Sequence, residues 1–75
     1  MTKRTQAVLG LLAESAQLTA LEIADKLQLA TGNAVTASLV SICDQGLANR
    51  VAGAVRRYEV TARGREVWRT LQERP

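Results

Sequence analysis

The stretch from Leu18 to Leu47 restricts this chain to few architectures, because it spells two short helices separated by a tight break. Its opening, Leu18-Thr19-Ala20-Leu21-Glu22-Ile23, carries a complete helix start. Thr19 stands where an N-cap hydroxyl accepts a backbone N–H. Glu22, three residues on, stands where its carboxylate can accept the Thr19 N–H in return. Leu18 and Ile23 flank this pair at the spacing of a hydrophobic staple. Helix 2 is therefore expected from Ala20 to about Gln28, with Ile23, Ala24 and Leu27 facing inward. After a break at Leu29-Ala30-Thr31-Gly32-Asn33, helix 3 is expected from Gly32 to Gln45, capped by Thr31. Its inner seam is Val35, Leu39 and Ile42, with Cys43 at the margin. Gly46 suits a helix end in the left-handed conformation. A helix held out by its predecessor in this way is built for presentation, so what Asn33 to Ser41 touches becomes the functional question.

The flanking segments complete the fold. Helix 1 is expected from about Lys3 to Ser15, with Val8, Leu11 and Leu12 on one face and Ala7 and Ala16 beside them. Lys3 and Arg4 in its first turn oppose the helix dipole, so either the helix starts later, capped by Thr5, or these side chains serve another purpose. Beyond Gly46 the period changes: Leu47, Asn49 and Val51 alternate with Ala48 and Arg50. A second β-prone run, Val55 to Val60, follows a short loop at Ala52-Gly53-Ala54, and the two runs read as a hairpin. In the second run Arg56, Tyr58 and Val60 share one face, and Val55, Arg57 and Glu59 the other. Thr61 then caps a last helix from about Ala62 to Glu73, whose apolar positions are Val67, Trp68 and Leu71. Gly64 in its first turns blurs where that helix begins. The fold class is α+β: a three-helix bundle with a two-stranded wing and a C-terminal helix, in the order α-α-α-β-β-α. Residues 1–75 form a single domain without repeats, and the starting Met1 with a self-contained element set speaks against a fragment of something longer.

Composition removes several function classes. With 75 residues the core is small, and a partner subunit would add to it. Tyr58 and Trp68 are the only aromatics, so that core is aliphatic. The chain has no histidine and a single cysteine, Cys43, which excludes a one-chain zinc finger, a Cys/His nucleophile pair and an internal disulfide. A lone thiol fits a reducing compartment, and a partly buried one without a basic neighbour is usually inert. Ser15, Ser38 and Ser41 have no histidine to activate them, and neither a phosphate-binding glycine loop nor a carboxylate pair is present. No catalytic residue, cofactor or metal ligand is therefore assigned, and the chain is not read as an enzyme. Lys3 and Arg4 followed by Ala7 to Ala13 imitate a secretion signal, but Glu14 interrupts the would-be cleavage region. No stretch approaches the ~18 apolar residues of a membrane span, so the location expected is the cytoplasm.

Charge is unevenly placed. From Arg50 onward seven arginines face three glutamates, a net of +4, whereas the chain before Arg50 sums to −1 from three bases and four acids. Every basic side chain in the C-terminal third is arginine, which suits bidentate phosphate contact better than lysine does. The plainer reading is that arginines solubilise a small domain and deter edge-to-edge strand pairing.

Three helices followed by a hairpin, with Gly46-Leu47 at the join, resemble the winged helix-turn-helix domains of bacterial transcription regulators. The stretch LTALEIADKLQLATGNAVTASLVSICDQGLANRV, continued by RRYEVTARGRE, looks like the core of MarR-type and related small regulators. In that family an "LT…EIA..L" helix precedes the recognition helix, "GL" opens the wing, and "VT..GRE" leads into a C-terminal helix. The resemblance covers roughly Leu18 to Glu66. In length the chain is closer to the compact regulators of operons, plasmids and phages, since it lacks long dimerisation helices. What the resemblance implies is double-stranded DNA as partner, with helix 3 in the major groove and the hairpin on the backbone or minor groove. Asn33, Thr36 and Ala37 would then face bases. Arg50, Arg56 and Arg57 of the wing, with Arg63 and Arg65 at the start of the last helix, would hold phosphates. A homodimer is a further implication.

The sequence departs from the family pattern in its wing, where the short Ala52-Gly53-Ala54 loop reaches less far, and in its recognition helix. Family recognition helices commonly carry Arg or Lys on the outward face, yet Leu27 to Asn49 holds no basic residue, and Ala37 and Val40 stand where long polar side chains are usual. A smooth face of Ala37, Val40 and Ser41 equally suits a protein partner. The rival reading is thus an interaction module docking through helix 3, with Val40 and Ser41, or through the C-terminal helix, with Trp68 and Leu71. Asn33 has its own alternative as a local cap. Trp68 either anchors a dimer or closes the core over helix 1.

Overall fold

A computed structural model describes residues 2–29 and 33–73. The chain runs α1 (Lys3–Glu14), α2 (Ala20–Lys26), α3 (Asn33–Asp44), β1 (Ala48–Val51), β2 (Arg57–Val60) and α4 (Ala62–Glu73), the expected order. Helix α1 is capped by Thr2, not Thr5: the Thr2 hydroxyl accepts the Thr5 N–H at 3.1 Å. Thr5 lies a turn inside, buried, and its hydroxyl donates to Ser38 Oγ of α3 at 3.2 Å. The core face of α1 is Val8, Leu9 and Leu12, so Leu9 displaces Leu11, which is only partly buried.

The α2 start is as read. Thr19 Oγ1 accepts the Glu22 N–H at 3.1 Å, Glu22 Oε1 accepts the Thr19 N–H at 2.9 Å, and Leu18 and Ile23 are both buried. The helix stops at Lys26, short of the expected Gln28, because Gln28 turns into the left-handed region (φ 60°). There Gln28 N–H bonds to the Asp25 carbonyl at 3.1 Å and Leu29 N–H to the Ala24 carbonyl at 2.8 Å, a Schellman ending without glycine. The same ending closes α3 at Asp44, with Gly46 at φ 74°, Gly46 N–H on Cys43 and Leu47 N–H on Ile42. The expected Thr31 cap and Gly32 start of helix 3 lie outside the described residues.

Leu47 is drawn into that ending and buried, so β1 begins at Ala48. The hairpin pairs Ala48 with Val60, Asn49 with Glu59, Arg50 with Tyr58 and Val51 with Arg57. Val55 and Arg56 therefore belong to the connecting loop, which spans residues 52–56 rather than the three small residues expected. The hairpin also gains a bridge the sequence did not disclose, an antiparallel pairing of Leu18 with Tyr58.

Gly64 marks a close approach rather than a weak helix start. A Cβ there would collide with the Leu47 carbonyl oxygen and lie 2.7 Å from Val60 Cγ2. Thr61 caps α4 as expected, accepting the Gly64 N–H at 3.0 Å while donating to the Gly46 carbonyl at 2.7 Å. Trp68 closes over α1: a Cβ on Gly10 would meet its ring at 2.6 and 2.7 Å. The core joins α1, α3, Leu18, Ile23, Leu47, Ala48 and Tyr58, with Val67, Trp68 and Leu71 packed against it as partly buried neighbours.

Candidate nucleic-acid interface

The buried seam of α3, Val35, Leu39 and Ile42, is joined by Ser38, and together these fix which side of the helix faces out. Asn33, Thr36, Ala37 and Val40 are exposed on the other side, Val40 at 41%. Ser41 is half-buried and its hydroxyl and carbonyl accept the Gln45 side-chain amide at 3.0 and 3.3 Å, so it is tied to its own helix. The three residues expected to face bases thus share an accessible helix side, whose only charged neighbour further along, Asp44, is acidic.

The arginines are exposed, but they are distributed over distinct places. Cross-strand partners share a face, so Arg50 lies on the Tyr58 face of the ribbon and Arg57 on the opposite one, with Val51. Arg50 is close enough to α3 to act on Cys43 electrostatically. Arg63 sits beside the end of α3, its Cδ 4.0 Å from where a Gly46 Cβ would be. Arg56 is at the wing tip in the connecting loop, and Arg65 is exposed in the first turns of α4.

Arg57 is engaged. Its Nη1 is 3.7 Å from Glu22 Oε1, the oxygen that already accepts the Thr19 N–H. That N–H, with smaller help from the Thr19 hydroxyl, Arg57 and Lys26, holds the Glu22 carboxyl below its ordinary value against an opposing desolvation. Sequence patterning found the capping box but missed this partner, since residues 22 and 57 become neighbours only through the Leu18–Tyr58 bridge. Gln17 Nε2 adds a second contact across the same seam, 3.5 Å from Glu59 Oε2.

Burial pushes the Cys43 thiol up, Asp44 acts in the same direction and Arg50 opposes them. The thiol does have a basic neighbour, contrary to expectation, but desolvation outweighs it, which leaves a protonated and weakly nucleophilic sulfur at neutral pH. Among the described residues no cluster of three or more His, Cys, Asp or Glu side chains is placed to hold a metal ion. No helix among them is long and apolar enough to cross a membrane.

No protein-family model and no curated sequence matches the chain. Its fold, however, recurs in solved structures. A Lactococcus lactis ZitR double mutant superposes with a TM-score of 0.85 at 28% identity over 96% of this chain and 51% of its own. A MarR family protein from Bacillus stearothermophilus gives 0.85 at 26% identity, over 97% and 52%. MepR, a transcription regulator of a Staphylococcus aureus multidrug efflux pump, gives 0.86 at 25% identity, over 96% and 56%. The chain therefore spans little more than half the length of these structures. Its fold is a winged helix-turn-helix of the MarR type, in which α2 and α3 form the helix pair and β1–β2 the wing.

Proposed function

We propose that this chain is a cytoplasmic transcription regulator that binds double-stranded DNA as a homodimer, and that residues 1–75 act as one winged-helix domain. The observation that carries the reading is the exposed side of α3, Asn33, Thr36 and Ala37, held outward by a fully buried seam on the other side. Asn33 reads adenine through its amide, while Thr36 and Ala37 offer methyl contacts to thymine. Arg50 and Arg56 of the wing and Arg63 and Arg65 of α4 supply phosphate contacts, with Arg57 as a further candidate. The structure of MepR with DNA, which shares this fold at a TM-score of 0.85 and 24% identity, is consistent with a nucleic-acid partner for such a domain. Because α3 presents no basic side chain outward, most of the affinity comes from the backbone and base discrimination is modest.

The test is fluorescence anisotropy with random and genomic duplexes across a salt series. With about four or five phosphates neutralised, log affinity falls against log salt with a slope near −4. Absence of binding even at about 50 mM salt rules the reading out.

The uncharged α3 face supports one rival, a module that docks onto a protein through Val40 and Ser41, or through Trp68 and Leu71 of α4. Paired Arg56→Ala and Arg57→Ala changes sharply weaken binding under the DNA reading. Under the rival, Val40→Glu is the more damaging change.

A further inference from the structure

We infer that Glu22 limits the affinity of the proposed DNA surface: its carboxylate holds Arg57 as a counter-charge and keeps this arginine off the phosphate backbone. The inference rests on the DNA reading above and names a residue that tunes it. Leu18 and Tyr58 exchange backbone hydrogen bonds of 3.0 and 2.8 Å, which brings the chain after Leu18 and the chain before Tyr58 into register. Thr19 and Arg57 are the residues next to that bridge. Thr19 N–H then fixes Glu22 Oε1 at 2.9 Å, so the carboxylate is already oriented when Arg57 meets it at 3.7 Å. An acceptor positioned by a backbone bond loses less side-chain freedom on pairing than a loose surface glutamate does. The pair is nonetheless exposed, at 45% for Arg57 and 49% for Glu22, so solvent and salt weaken it and it acts as a modulator rather than a block. Among the described residues, Arg50, Arg56, Arg63 and Arg65 have no carboxylate within salt-bridge distance. Arg57 alone of the five must exchange an acid for a phosphate.

Glu22→Gln separates the two duties of this side chain. The amide oxygen still accepts the Thr19 N–H, because glutamine serves in capping boxes, but the charge facing Arg57 is gone. Affinity and salt dependence are measured by anisotropy for the native chain, Glu22→Gln, Arg57→Gln and the double variant, with circular dichroism melts to verify folding. Glu22→Gln is expected to bind DNA about two- to five-fold tighter at low salt, the worth of a released surface pair. Its salt slope steepens by about 0.9, as for one added phosphate contact. Arg57→Gln alone changes the slope by far less than ~0.9, and in the double variant the gain from Glu22→Gln vanishes. Three results overturn the inference while leaving the DNA reading intact. They are an unchanged Glu22→Gln, a slope loss of about 0.9 from Arg57→Gln with Glu22 present, and an equal gain from Glu22→Gln in the Arg57→Gln background. The last would mean that Glu22 repels DNA generally. Failure of every variant to bind DNA overturns both.

Discussion

Leu18 and Tyr58 exchange both of their backbone hydrogen bonds, so one residue of the connection before α2 serves as a third strand beside β2. Both side chains are buried, and the bridge ties the wing to the start of the helix pair. In native-state hydrogen exchange the Leu18 amide is therefore expected to be as slow as those of β2. Loop-like exchange at Leu18 would show that the wing is not anchored there.

Gly64→Ala should be severely destabilising, by at least about 2 kcal/mol, because overpacking against a backbone atom leaves no rotamer to relieve it. The obstacle is the Leu47 carbonyl oxygen, which also accepts the Thr61 N–H at 3.0 Å. Urea unfolding measures the effect. A loss below about 0.5 kcal/mol, the size of an ordinary surface change, would contradict this packing.

Gln28→Gly should stabilise the domain by roughly 0.5–1 kcal/mol, since the left-handed conformation costs a side-chain-bearing residue more than glycine's extra unfolded-state entropy. Gln28 is the only described non-glycine residue with positive φ. Thermal melts suffice, and a lowered midpoint would count against the ending at residues 27–29.

Glu22 makes the domain's stability depend on pH with a definite sign. Its native pKa is lowered, so the ionised form stabilises the fold at neutral pH. This contribution is complete above the ordinary value of 4.5 and is lost as pH falls through the depressed native one. Melts of the native chain and Glu22→Gln should differ at neutral pH and converge on acidification. A gap independent of pH would show that the charge of Glu22 is irrelevant to stability. Thr19→Ala, which removes the other half of the box, should cost about 1 kcal/mol.

Features governed by local chemistry were legible in the sequence. Thr19, Glu22, Gly46 and Thr61 announce their caps through residue type and spacing, and Val35, Leu39 and Ile42 mark the seam of α3 by period alone. The misread features depend on distant parts of the chain. Gln28 ends α2 without the glycine that would have advertised it, Leu9 is buried on an α1 that packs against α3, α4 and β2, and Gly64 answers to the Leu47 carbonyl oxygen. The candidate site divides the same way. The outward side of α3 follows from its inward one, whereas the pairing of Arg57 with Glu22 required knowing that Leu18 lies against Tyr58. A mid-helix glycine such as Gly10 was the available hint that something large, here Trp68, presses on α1.

The hydroxyl of Thr5, reaching Ser38 across the interior, has a consequence for how reproducibly α3 is aimed. Aliphatic side chains grip one another with little regard for angle, and a rod lined with Val, Leu and Ile could settle at several rotations of similar energy. A directional bond in dry surroundings penalises every rotation but one, since a missed partner there stays unsatisfied. Two small hydroxyls thereby act as an index pin, setting the heading of Asn33, Thr36 and Ala37 from the far side of the molecule.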